Sequence, residues 1–106
     1  MSLPAPLVAA FLLCLSDGLQ ANPAADSKAG ALRAMLQQDC GACHGMTLKG
    51  GLGPPLVAEA LINKPDAVLI DTILNGRPGT AMPPWRSMIT LDDAHWLVSY
   101  LRQSHK

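Results

Sequence analysis

The feature that most constrains this chain is the run Cys40-Gly41-Ala42-Cys43-His44, a C-x-x-C-H motif. This spacing is typical of the covalent attachment site of a c-type haem. Two thiols three positions apart on a helical turn can add to the two vinyl groups of one porphyrin, and the histidine that follows then lies beneath the iron. The motif therefore predicts one covalent haem c, with Cys40 and Cys43 as its thioether anchors and His44 as the proximal iron ligand.

Three other interpretations of the motif are weaker. A thioredoxin-like C-x-x-C pair would follow a β-strand, and no strand pattern precedes Cys40. A structural zinc site needs four ligands, and beyond the motif only His95 and His105 remain, with poor mutual spacing. A disulfide-stabilised domain is disfavoured because the third cysteine, Cys14, lies in a segment that export would remove.

The N-terminal region has the character of an export signal. Residues 7–15 form an apolar run, shorter than the roughly 20 residues that span a bilayer, although no Lys or Arg precedes it. We expect a signal peptide over residues 1–21, cleaved after Ala21 or, less favourably, after Gly18. The mature protein over residues 22–106 would then be a monohaem domain in the periplasm. A retained membrane anchor is the alternative.

Composition limits what the mature domain can be. The chain of 106 residues has eight Lys or Arg and eight Asp or Glu, and so carries no net charge. This balance argues against nucleic-acid binding, which usually requires a basic face. One Phe, one Tyr and two Trp make a core poor in aromatic side chains, and a domain this small buries little surface by itself. We therefore expect haem to complete the core, and the haem-free protein to fold poorly.

Hydrophobic periodicity predicts an all-α fold of three to five short helices. A first helix, capped by Ser27, runs to the haem motif, and a short helix covers residues 57–63. A third helix begins with Pro65 as its first residue and ends at Gly76. No alternating strand pattern appears between these segments.

The last predicted helix follows a capping box formed by Thr90 and Asp93. Its apolar stripe of Leu97, Tyr100 and Leu101 is expected to pack against the first helix. Two segments rich in Gly and Pro are expected to be irregular: residues 45–55, which should wrap the proximal face of the haem, and residues 77–87, which prolines should also make stiff.

In order and spacing, these features resemble the class I cytochromes c. Beyond the haem motif, the resemblance rests on Gly53-Pro54-Pro55-Leu56, Asn75-Gly76-x-x-Gly79-x-x-Met82-Pro83 and Leu97-x-x-Tyr100-Leu101. Asp39–Met46, Gly50–Pro54 and Gly76–Trp85 are similar to the small NirC-type monohaem cytochromes of denitrifying bacteria. The fold implied by this resemblance is the class I cytochrome c fold, with short helices wrapped round one covalent haem.

The resemblance also implies roles for individual residues. A carbonyl near Pro54 would accept a hydrogen bond from the second ring nitrogen of His44. Met82 would be the distal iron ligand, and its neutral thioether would favour ferrous over ferric iron. Arg77 and Trp85 flank the ligand loop, where each could donate a hydrogen bond to a haem propionate or, alternatively, pack and hydrate.

The other methionines and histidines are expected elsewhere. Met35 and Met88 are predicted to fill gaps in the core. Met46 follows His44 too closely to reach the opposite haem face and is expected beside the haem edge. His95 and His105 are predicted to face solvent or cap the last helix.

A six-coordinate iron offers no vacant position to a substrate, so the predicted function is one-electron transfer between exported redox proteins, without enzymatic activity. Partners are expected to dock near Ala42, Ala81 and Pro83 through a small, short-lived interface. Lone surface cations such as Arg86 could guide an acidic partner. The protein is expected to be a monomer that meets the membrane only through its export signal.

The narrower resemblance implies that electrons pass to the haem-cd nitrite reductase in denitrification. One alternative is an accessory role in the maturation of d-type haem. The other is a haem enzyme or gas sensor in which Met82 leaves the iron, although no proton donor except Arg77 is obviously placed for catalysis.

Overall fold

A computed structural model describes residues 2–5 and 23–103 of the protein. Within these ranges the chain is helical and contains no β-strand, which confirms the all-α prediction. The elements in chain order are α1 (Pro23–Met35), a π-helix (Leu36–Cys40), α2 (Gly41–His44), α3 (Ala58–Leu61), α4 (Asp66–Asn75) and α5 (Leu91–Gln103).

The predicted signal peptide, residues 1–21, lies mostly outside the described residues. Of this range the structure places only residues 2–5, which are exposed. Both candidate cleavage positions, Gly18 and Ala21, fall in the part that is not described. Among the helices of the described ranges, none has the length and apolar character that a membrane crossing requires.

The first helix begins five residues earlier than a cap at Ser27 predicts. α1 starts at Pro23, and Ser27 is an exposed residue in its interior, so the predicted Ser27 cap is wrong. The physical reason is that proline suits the first turn of a helix, where its missing N–H would have no partner and its fixed φ is already helical.

The approach to the haem motif is a π-helix that continues directly from α1. Leu36 is 3% exposed, and its carbonyl accepts a hydrogen bond from the N–H of Gly41. This i→i+5 pairing places one extra residue in the turn. The motif itself then forms α2, so that Cys40 closes the π-helix and Cys43 lies in the next turn.

The middle helices are slightly shorter than predicted. α3 covers four residues rather than seven. Pro65 is the N-cap of α4 rather than its first residue, with an extended ψ of 147°. Its carbonyl accepts hydrogen bonds from the N–H groups of Val68 and Leu69, which lack partners within the first turn. Gly76 ends α4 with a φ of 70°.

The capping box at the start of α5 is confirmed. The Thr90 N–H donates to Asp93 Oδ2 at 2.9 Å, and the Asp93 N–H donates to Thr90 Oγ1 at 3.1 Å. The Lys28 ammonium lies 3.1 Å from the same Asp93 oxygen. Because Lys28 belongs to α1, this carboxylate also ties the first helix to the start of the last.

The core combines side chains from both ends of the chain. Its buried members are Leu32, Leu36, Leu61, Ile70, Leu74, Ile89, Ala94, Leu97, Val98 and Leu101. Leu32 and Leu36 thus share one cluster with Leu97 and Leu101, and Met35 packs against it as predicted.

Two predicted core residues lie at the surface instead. Tyr100 is 36% exposed and stacks on Trp96 with 5.0 Å between ring centroids. It follows Leu97 by three positions, but Leu101 occupies the inward position of that turn. Met88 is 70% exposed, so its predicted packing role is wrong. It lies beside buried Ile89, which fills the core at this point.

Asp93→Asn is expected to lower the free energy of unfolding and to remove part of its dependence on pH. The hydrogen bond from the Thr90 N–H, and then the Lys28 ammonium, hold the pKa of Asp93 below its ordinary value of 3.8. A depressed carboxyl pKa contributes stability above the unfolded-state pKa that is lost as pH falls through the folded-state pKa. Losing this cap should cost about 1 kcal/mol near neutral pH.

Denaturant unfolding of wild type and Asp93→Asn, followed by circular dichroism from neutral pH to about one pH unit below the pKa of a free Asp side chain, checks this expectation. The difference between the two proteins should shrink as the solution is acidified. A difference that stays constant over this range would show that the Asp93 charge does not stabilise the fold.

Candidate functional site

An apolar pocket of about 370 Å³ opens between the haem motif, α3, α4, α5 and the two Gly- and Pro-rich loops. Its volume is within the usual range for small-molecule and cofactor sites. Aliphatic side chains form most of the wall: Leu36, Leu56, Leu61, Val68, Leu69, Ile73, Leu97, Val98 and Leu101.

The structure gathers all but one of the sequence-predicted site residues around this pocket. Those that line it are Cys40, His44, Pro54, Arg77, Met82 and Trp85. Cys43 is exposed and is not among the lining residues. The imidazole, the thioether and one thiol therefore share a single cavity, although they come from positions up to 42 residues apart (82 − 40).

His44 is oriented by a backbone carbonyl. Its Nδ1 lies 2.7 Å from the carbonyl oxygen of Pro54. Because a carbonyl oxygen can only accept, Nδ1 carries the proton and donates it to this bond. The other ring nitrogen, Nε2, is thereby left with a free lone pair, the form in which imidazole binds a metal.

Gly53 allows the carbonyl of Pro54 to come this close. A Cβ at Gly53 would lie 2.8 Å from both Cε1 and Nδ1 of His44, closer than real Cβ contacts. The Gly53 N–H donates to the carbonyl of Cys43 at 2.8 Å, so the loop lies directly against the motif. The absence of a side chain at this position is thus a steric condition for the hydrogen bond to His44.

The segment carrying Met82, residues 76–85, is folded back on itself, and we refer to it as the Met82 loop. The Arg77 N–H donates to the Met82 carbonyl at 3.2 Å, and Thr80 Oγ1 donates to the Arg77 carbonyl at 2.7 Å. A Cβ at Gly76 would lie 2.7 Å from the Met82 oxygen, so this position needs glycine for space as well as for its positive φ. The Met82 side chain is half-buried and lines the pocket.

The remaining predicted residues take different positions. Trp85 is half-buried against the core, whereas Arg77 is exposed at the pocket rim. Met46 is 72% exposed and is not among the lining residues. His95 faces solvent as expected, and His105 lies outside the described residues.

Two lining residues were missed by sequence reasoning. Lys64 and Thr72 both contribute to the pocket wall. Thr72 follows Val68 by one helical turn, and its Oγ1 donates to the Val68 carbonyl at 2.8 Å. Helical periodicity in α4 is a usable signal for Thr72, because Thr72 lies one turn after Val68 and next to Ile73, which both line the pocket.

The cysteines fit attachment chemistry better than the alternatives. Cys40 and Cys43 form no disulfide, so both sulfur atoms remain for attachment of a cofactor. Burial, followed by the nearby Asp39 charge, raises the pKa of the Cys40 thiol. Within residues 2–5 and 23–103, no group of three or more His, Cys, Asp and Glu side chains is placed to hold a metal ion, so the zinc interpretation gains no support there.

The donor set and the walls of the pocket fit a haem. The aliphatic lining suits a flat apolar macrocycle, and His44 Nε2 and the Met82 thioether are the two donors found at Met/His haem sites. Cys40 lies in the same lining, where a thiol could reach a porphyrin edge.

Known proteins provide an independent comparison. Residues 27–101 match the family model described as cytochrome c oxidase, cbb3-type, subunit III. The chain is 45% identical over 94 residues to cytochrome c55X of Paracoccus denitrificans (strain Pd 1222), which covers 89% of this chain and 91% of that protein.

Two solved structures share the fold. The c-type cytochrome NirC superposes with a TM-score of 0.70 at 48% identity, covering 78% of this chain and 94% of that one. Dihydro-heme d1 dehydrogenase NirN in complex with DHE superposes with a TM-score of 0.64 at 38% identity, covering 69% of this chain and 16% of that one.

Gly53→Ala is expected to break the hydrogen bond between His44 and Pro54. The added methyl group would overlap the imidazole, so the ring or the loop must move, at a cost of about 1–3 kcal/mol in the free energy of unfolding. Denaturant unfolding measures this cost. Gly30→Ala is the matched control, because its Cβ would meet only one atom, at 4.0 Å. Equal effects of the two substitutions would contradict the steric role of Gly53.

Proposed function

Because this chain belongs to the cytochrome c family described as cytochrome c oxidase, cbb3-type, subunit III, we propose that it carries single electrons between exported redox proteins. It is a c-type cytochrome with covalently bound haem c, and an electron-transfer protein rather than an enzyme. The observation that carries the proposal is the presence of one imidazole and one thioether in the lining of a single apolar pocket.

Different site residues are proposed to attach the cofactor, bind its iron and hydrogen-bond its propionates. Bound haem supplies a one-electron couple between ferrous and ferric iron. Cys40 and Cys43 are the proposed covalent anchors, and His44 Nε2 and Met82 are the proposed axial ligands. Arg77 and Trp85 lie at the same pocket and are the proposed propionate partners.

Each axial residue sets the iron's properties in its own way. Donation from His44 Nδ1 to the Pro54 carbonyl fixes the ring and raises the basicity of Nε2. The soft, neutral thioether of Met82 stabilises the reduced state, so the pair favours a higher potential than two imidazoles. With His44 and Met82 both bound to it, the iron would offer no vacant position to a substrate.

The proposed partner is the haem-cd nitrite reductase of denitrification. The proposed site of this electron transfer is the periplasm. Similarity to NirC and to a cytochrome c55X supports this placement. The exposed residues Ala42, Ala81 and Pro83 offer a small docking surface for a monomeric carrier. Arg86, considered above as a steering cation, is exposed and donates two hydrogen bonds to Asn75 Oδ1, which leave its positive charge in place.

A second candidate function is an accessory role in the maturation of d-type haem. It is favoured by the likeness to a dihydro-heme d1 dehydrogenase, 38% identical in its matching part. Dehydrogenation releases electrons, and a one-electron carrier could accept them. The gas-sensor alternative is less favoured, because Pro83 and Pro84 stiffen the segment that would have to release Met82.

Met82→Ala is expected to open the sixth coordination position. The reduced wild-type protein should show a low-spin c-type absorption spectrum that added carbon monoxide leaves unchanged. In the variant, carbon monoxide should bind promptly because no thioether competes for the iron. Met88→Ala is the control, since Met88 is 70% exposed and outside the pocket lining. Prompt carbon monoxide binding by the wild type would overturn the carrier proposal.

Electron delivery to the nitrite reductase is expected to be direct. Stopped-flow mixing of the reduced cytochrome with oxidised haem-cd nitrite reductase should reoxidise the cytochrome at a rate proportional to enzyme concentration. The same mixing with a dihydro-heme d1 dehydrogenase and its substrate tests the accessory role. Reduction by the dehydrogenase without reoxidation by the reductase would favour that second function.

A further inference from the structure

A chain of side-chain hydrogen bonds crosses the two ends of the Met82 loop. Arg86, just after the loop, donates from Nε and Nη2 to Asn75 Oδ1 at 3.0 and 2.9 Å. Asn75, the last residue of α4, donates from Nδ2 to Asp71 Oδ1 at 2.6 Å. These three side chains lie outside the pocket lining and so do not touch the cofactor site directly.

Backbone hydrogen bonds join the two ends of the Met82 loop at the same place. The Trp85 N–H donates to the Ile73 carbonyl at 3.0 Å, and the Arg86 N–H donates to the Leu74 carbonyl at 3.1 Å. Both carbonyls belong to the last turn of α4, where a helix cannot satisfy its own acceptors. The returning end of the loop thus supplies the partners that the helix end requires.

Hydrogen bonds within the loop join Arg77, Thr80 and Met82. Pro78, Pro83 and Pro84 have no N–H to donate. The Met82 carbonyl accepts from the Arg77 N–H at 3.2 Å, and the Met82 N–H donates to Thr80 Oγ1 at 3.3 Å. Thr80 in turn donates to the Arg77 carbonyl. These bonds lead back to Arg77 at the first end of the loop, so the position of Met82 also depends on how firmly the second end is joined to α4.

The chemistry of the three side chains suits this junction. The Asp71 carboxylate takes the amide NH₂ of Asn75, which turns Oδ1 toward Arg86. Arg86 then presents two N–H donors in a fixed fork to that one oxygen, near the negative end of the α4 dipole. An Asp or Leu at position 75 could not both donate to Asp71 and accept from Arg86.

We propose that Asp71, Asn75 and Arg86 form a latch that keeps the Met82 loop closed. Arg86 and Asn75 are then positioning residues that act on the iron through Met82. This inference rests on the proposed axial role of Met82. Opening of the latch would let the loop swing away and expose the sixth position, so the latch sets how often the iron becomes accessible.

Imidazole binding to the oxidised protein measures this opening, because imidazole reaches the iron only when Met82 has left. At saturating imidazole, the rate reports loop opening. Arg86→Gln and Asn75→Ala should each raise this rate about threefold to tenfold, the effect of losing a hydrogen bond. Arg86→Lys should also raise it, since a single ammonium cannot replace the fork.

Two control variants separate the latch from general effects. Arg33→Gln removes an exposed arginine of α1 that lies away from the loop, and should leave the rate unchanged. Thr90→Ala breaks the capping box and weakens the fold without touching the latch. The unfolding free energy of each variant is also measured. For the same loss of unfolding free energy, the imidazole-binding rate should rise less in Thr90→Ala than in Arg86→Gln.

The experiment distinguishes failure of the latch from failure of the proposed function. A wild-type rate in Arg86→Gln and Asn75→Ala, or a rate in Thr90→Ala equal to theirs, would overturn the latch. A wild-type rate in Arg86→Lys would also overturn it, because charge alone would then suffice. Met82→Ala is measured in the same series. If its imidazole binding is no faster than that of the wild type, the axial role of Met82 fails instead.

Discussion

The structure depends on an apolar pocket whose wall is formed partly by side chains of the hydrophobic core. Leu36, Leu61 and Leu97 belong to the buried cluster and at the same time line the cavity. A haem in this pocket would contact Leu61 of α3 and Leu97 of α5, which belong to the same buried cluster. In a chain of 106 residues with few aromatics, the cofactor supplies the large apolar body that the sequence lacks. Fold stability and function therefore share one set of contacts.

The two Gly- and Pro-rich loops position the two proposed iron ligands, His44 and Met82. The first brings the Pro54 carbonyl to His44, and only a glycine at position 53 leaves room for it. The second presents Met82 from a segment closed by backbone bonds and stiffened by prolines. Both proposed ligands, His44 and Met82, are thus positioned by the protein itself. A site that needs little rearrangement between oxidation states suits rapid one-electron transfer.

Local motifs were predictable from the sequence, and contacts between distant side chains were not. The capping box at Thr90 and the helix stop at Gly76 depend on neighbouring residues, and both occur where predicted. The predicted Ser27 cap is wrong because α1 already begins at Pro23, whose fixed φ and missing N–H suit the first turn of a helix. The hydrogen bonds from Arg86 to Asn75 join residues eleven positions apart across an irregular loop, where no periodicity indicates which side chains meet. Arg86 therefore looked like a solvated surface charge.

We propose above all that Met82 and His44 would bind the haem iron together. Proton NMR of the reduced protein with isotopically labelled methionine methyl groups tests it directly, because the haem ring current shifts a methyl lying over the iron strongly upfield. The account predicts one such methyl resonance, which Met82→Leu removes while those of Met46 and Met88 stay at their usual positions. An upfield methyl that survives in Met82→Leu, or none in the wild type, would contradict it.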